Sequence, residues 1–194
     1  SSGAEREALM WLSRHPRAGT PADRLQLELF ARLGRHDMGR AAKVVYRMLD
    51  AGDGKLDARS IGRLLSALPR ERYWRTLAHV MADKRLFPQI RGRLFGMTRS
   101  ESWPTRWRAV DVIEKARDAD ASLARSAALV VDLQRAEVCY QRRDAVVRLG
   151  KVGHPSALAA LEAERKQPGG LCMGGAVDEA IALIKKKKAG GRRR

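Results

Sequence analysis

The chain has little of what chemistry usually recruits. Its 194 residues include two cysteines and four histidines, aromatic side chains make up 5%, and no run of eighteen apolar residues occurs. The missing apolar run excludes a membrane-spanning helix and predicts no membrane insertion. Two cysteines, Cys139 and Cys172, are too few for a disulfide framework, so both are expected as reduced, half-buried thiols. The scarcity of aromatics argues against an extended platform for stacking bases. Acidic residues are also scarce, 22 against 39 Lys and Arg. The resulting charge of +17 points to an acidic partner. The start, Ser1-Ser2-Gly3 before Ala4-Glu5-Arg6-Glu7, has neither the basic residues nor the apolar core of a secretory signal, and a cytoplasmic protein is expected.

Catalytic signatures are missing as well. There is no Gly-x-Ser-x-Gly, Walker-type loop, His-Glu-x-x-His or dinucleotide fingerprint. His15, His36, His79 and His154 are far apart and not at ligand spacing with one another or with a cysteine. Asp53-Gly54 sits in a polar stretch between helical patterns, but a calcium loop aligned on Gly54 would place Leu49, Ala51 and Ser60 at its first, third and twelfth positions. That segment reads as a turn. We expect no catalytic residue, no metal and no cofactor.

What the sequence does have is helical periodicity. Hydrophobic residues make up 44% of the chain. They recur at i, i+3, i+4 and i+7 in Ala41, Val44, Val45, Met48; in Ile61, Leu64, Leu65, Leu68; and in Trp74, Leu77, Ala78, Met81. The fold class is therefore all-α. The pattern and its Gly and Pro breaks predict helices near 4–14, 22–34, 38–50, 58–68, 70–84, 87–96, 104–117, 120–135, 141–152, 155–167 and 175–188. Short connections make neighbours antiparallel.

The C-terminal half also repeats. Ala109-Val110 with Ile113 lies 36 residues before Ala145-Val146 with Leu149, and these lie 35 before Ala180-Ile181 with Ile184. Arg108 and Arg143 precede the first two pairs, and Lys115 matches Lys151. A spacing of two helices per 35 or so residues is that of a stacked helical-repeat array. The stretch from Arg142-Arg143-Asp144-Ala145-Val146 through Gly150, Gly153-His154-Pro155 to Leu158 and Leu161 resembles the bacterial HEAT-like repeats grouped with phycobilisome lyases. In that reading Gly150 and Gly153 permit a tight turn and Pro155 starts the second helix. The resemblance, strongest over 104–188, implies a right-handed α-solenoid of stacked antiparallel helix pairs; the helical pattern extends that single solenoid over 1–188, and a flexible basic tail, 189–194, is expected to follow. The last two repeats also resemble segments found behind some bacterial serine/threonine kinase domains, although the chain has no kinase motif.

Trp107 and Asp111, four residues apart on one helical face, are similar to a pair in HEAT-like alkylpurine DNA glycosylases, where aromatic rings hold a cationic lesion beside a carboxylate. Leu183 stands where that family would place a further tryptophan. Packing and capping explain the pair more simply.

Charge supplies the remaining signal. Without the seven basic residues at 185–188 and 192–194, the chain still carries +10. Candidate binding residues are Arg106, Trp107, Arg108, Arg142, Arg143, Arg148 and the run Lys185, Lys186, Lys187, Lys188. The expected function is a non-enzymatic interaction or regulatory scaffold for an acidic protein or a domain of a parent protein. A nucleic-acid-binding protein, including a base-excision enzyme, is the alternative.

Overall fold

The computed structural model describes residues 61, 62, 65, 74–167 and 173–191. The first three predicted helices and the Asp53-Gly54 turn lie outside them. Helix accounts for 77% of the described residues and strand for none, so the all-α expectation holds among them. No described helix is long and apolar enough to cross a membrane. The described residues fall into two compact units, one running to Leu94 and including Asp111–Ala116, the other combining Phe95–Val110 with the residues from Arg117 onward.

In the first unit, α1 (Trp74–Met81) buries Ala78 and Met81 from the predicted stripe. Ile61 and Leu65 of the preceding stripe are buried too. The helix stops three residues before the expected end. There the Asp83 carboxylate accepts from the Arg85 backbone N–H at 2.8 Å, a local bond that competes with further helical turns. α2 (Phe87–Met97) follows, with Ile90 and Leu94 facing inward.

α3 (Trp103–Lys115) begins with Pro104 in its first turn, where a missing N–H costs nothing. In the second unit come α4 (Ala121–Arg135), α5 (Cys139–Val152), a 3₁₀ turn (Pro155–Ala157), α6 (Leu158–Arg165) and α7 (Ala176–Gly191). α5 packs against both α4 and α7, and α6 packs against α7. Leu129, Val146, Leu149, Leu161 and Ile184 are fully enclosed, each contributing about 1.5–3 kcal/mol of burial. All nine residues of the repeated triplet, from Ala109 to Ile184, are buried.

The junction between α5 and the 3₁₀ turn follows from its residues. Gly153 adopts φ 75°, a left-handed conformation that only glycine takes without strain, and its N–H donates to Leu149 O at 3.0 Å. His154 then caps the 3₁₀ turn by accepting from the Ser156 N–H, and Pro155 starts it, as its fixed φ predicts. Gly150 does something different from the expected turn role. It lies inside α5, and a Cβ there would stand 2.8 Å from Ala180 Cα. Glycine at this position lets α5 and α7 approach closely.

Two further expectations change. Cys139 is disulfide-bonded, which overturns its reading as a reduced thiol. Cys172, the chain's one other cysteine, lies outside the described residues. The tail was expected from residue 189, yet α7 continues to Gly191. Lysines in its last turns suit the negative end of the helix dipole, and Ala189 is a strong helix former.

Candidate interaction surface

One turn of α3 places Trp103 and Trp107 together, with ring centroids 6.4 Å apart and planes tilted by 42°. Trp103 is 61% exposed, whereas Trp107 is half-buried against the core of the second unit. The Trp107 indole N–H donates to Asp132 Oδ2 of α4 at 2.9 Å. That bond and the packing of the ring against the core hold the indole in place.

Asp132 is itself held from behind. Its other oxygen pairs with the Arg106 guanidinium, whose side chain is 3% exposed. Arg106 also donates to the carbonyls of Ser100 and Glu101 at 2.7 and 3.1 Å, tying the segment before α3 to the same group. Only its Nε lacks a partner. A charge so enclosed is tolerable because it is paired and hydrogen-bonded. Arg106, a predicted binding residue, thus faces inward.

Arg148 of α5 covers the outer side of Trp107, its guanidinium carbon 4.7 Å from the ring centroid. A cation at this distance over an indole is attracted by the ring's negative face. One of its nitrogens is 3.6 Å from Asp144 Oδ2, one turn earlier, in an exposed pair. Tyr140, a further turn back and 72% exposed, continues the same stripe of α5.

The other predicted residues are placed elsewhere. Arg142 grips Glu164 with two bonds, Nε–Oε1 at 3.0 Å and Nη2–Oε2 at 2.8 Å, and also bonds Gln167. This fork of hydrogen bonds raises its pKa above the ordinary arginine value. Arg108 is half-buried and has a partner of its own. Arg143 is exposed and makes no ion pair among the described residues. Lys187 donates to Lys151 O at 2.6 Å and so caps the end of α5 from α7. Lys185, Lys186 and Lys188 are exposed. Asp111 pairs with Lys115 one turn on, and the carboxylate bonded to Trp107 is Asp132.

His154, Ser156 and Ser126 form a chain of their own. His154 Nδ1 lies 2.8 Å from Ser156 Oγ, which reaches the buried Ser126 Oγ at 3.2 Å. The chain ties the 3₁₀ turn to α4 and accounts for a polar group inside the core.

Trp107 and Arg148 are therefore the predicted pair that comes together. Trp103, Tyr140 and Asp132 were not anticipated. Trp103 had a signal in its four-residue spacing from Trp107, and Asp132 had one as a lone acid in Leu129-Val130-Val131-Asp132-Leu133. The site offers ring faces and planar donors set on rigid helices, which suits recognition. No protein family, curated protein or solved structure matches the chain.

Proposed function

We propose that the chain is a HEAT-like right-handed α-solenoid acting as a non-enzymatic protein-interaction or regulatory scaffold for an acidic partner. The buried triplets at a 35- to 36-residue spacing support the repeat reading. So does the packing of α5 against both α4 and α7, as expected of stacked helix pairs.

The observation that carries the function is Trp103, exposed and in contact with Trp107 beneath Arg148. Tryptophan and arginine dominate the residues that anchor protein interfaces, because each combines a large apolar area with directed polar contacts. Four basic residues against one acid on α5 set the sign of the partner.

The test is a fluorescence-anisotropy titration of the full chain with a labelled Glu- and Asp-rich peptide bearing one Phe. Binding should weaken as salt rises and fall about tenfold for Trp103→Ala. It should survive replacement of Lys185, Lys186 and Lys188 by Gln, which leaves the Lys187 cap in place. No binding at low salt, or binding indifferent to Trp103→Ala, would overturn the reading. Preferential, steeply salt-dependent binding of duplex DNA would favour the nucleic-acid alternative.

A further inference from the structure

We infer that Arg148 is the carboxylate-binding anchor of this surface and that Asp144 is its internal occupant, exchanged for a carboxylate of an acidic peptide segment when the partner docks. The inference rests on the interaction surface proposed above and adds the identity of the group recognised.

Three observations lead to it. The Arg148–Asp144 pair is 3.6 Å apart, longer than a hydrogen bond, with the side chains 45% and 65% exposed. Such a pair gains little from its own attraction and is easily opened. The Arg148 guanidinium keeps a second contact when Asp144 leaves, the indole of Trp107 4.7 Å beneath it. Opening the pair thus frees donors on a side chain that still rests on the ring, which lowers the entropy cost of docking. Thirdly, the group that occupies Arg148 in the structure is a carboxylate, and Arg106 and Arg142 likewise pair with carboxylates. A guanidinium fork matches the two oxygens of such a group.

The neighbouring charges favour a peptide over a nucleic acid. A duplex carries about one charge per 1.7 Å along its axis. Such a backbone lying along α5 would meet the exposed Asp144 and Glu137 as well as the arginines. Discrete carboxylates on a peptide can meet Arg148 while an apolar or aromatic side chain rests on Trp103.

The experiment uses the full chain and the same labelled acidic peptide, with duplex DNA in a parallel arm. Asp144→Asn should tighten peptide binding about two- to fourfold, because it removes the competitor and keeps the size. Arg148→Ala should weaken it about tenfold, and Arg148→Lys should recover only part of the loss, since lysine keeps the charge without the fork. Retained helical circular dichroism in each variant separates binding from folding. If Trp103→Ala weakens binding while the Arg148 and Asp144 variants match the parent, the surface stands and the exchange is refuted. If neither Trp103 nor Arg148 matters, both readings fall. If Asp144→Asn tightens duplex DNA as much as peptide, the assignment to a carboxylate is overturned.

Discussion

The same indole is flanked by two arginine–aspartate pairs that differ in almost everything except chemistry. On the inner side of Trp107, Arg106 is enclosed at 3% exposure, and Asp132 bonds both it and the ring N–H. On the outer side, Arg148 and Asp144 face solvent at 3.6 Å. Removing one partner of the inner pair strands a buried charge, whereas removing one partner of the outer pair leaves the other in water. The inner pair is therefore a positioning device, and the outer pair is free to change partners. Burial, not residue type, separates the two roles.

The largest break in this comparison should come from Arg106→Ala. It leaves Asp132 without its counter-charge and releases the carbonyls of Ser100 and Glu101. A loss of about 3–5 kcal/mol is expected in urea unfolding, together with a shift in tryptophan emission because Asp132, which accepts from the Trp107 N–H, is no longer held by Arg106.

A smaller effect should follow from Gly150→Ala. Helix propensity alone would favour alanine by up to about 1 kcal/mol. The new methyl, however, would meet Ala180 Cα at 2.8 Å, so the α5–α7 contact must open, and a net loss of about 1–3 kcal/mol is predicted in the same assay. A stabilised variant would show that the close approach is unimportant.

The smallest measurable effect belongs to Lys187→Ala, expected to cost about 0.5–1 kcal/mol through the lost cap on the α5 carbonyls. Lys186→Ala, a neighbour in the same run, is predicted to be indistinguishable from the parent. Equal effects for both would place Lys187 among the solvated lysines.

These contrasts also explain what could be read in advance. The described helices and the repeated core triplets were legible because periodicity records burial directly, residue by residue. Gly153 and Pro155 were legible because each acts on the local backbone alone: glycine permits the left-handed φ and proline fixes its own. The role of Gly150 was not, since it depends on Ala180, thirty residues away and on another helix. Likewise, Arg106 and Arg148 look equivalent in sequence. What distinguishes them is Asp132 on α4, and no local pattern announces that this acid reaches α3. Trp103 was overlooked for a different reason: the expected helix began at 104, so its four-residue spacing from Trp107 was not read as a shared helical face, whereas the helix starts at Trp103. Charge counting located basic residues without showing that Arg106, Arg142 and Lys187 are already engaged.

The most direct test of the account is to unfold Asp132→Asn and Asp144→Asn in urea side by side. Both substitutions keep the size of the side chain and remove one negative charge. The account predicts a loss of about 3–5 kcal/mol for Asp132→Asn and a change within about 0.5 kcal/mol for Asp144→Asn. Equal shifts, or an unchanged midpoint for Asp132→Asn, would contradict the division between a fixed inner pair and an exchangeable outer one.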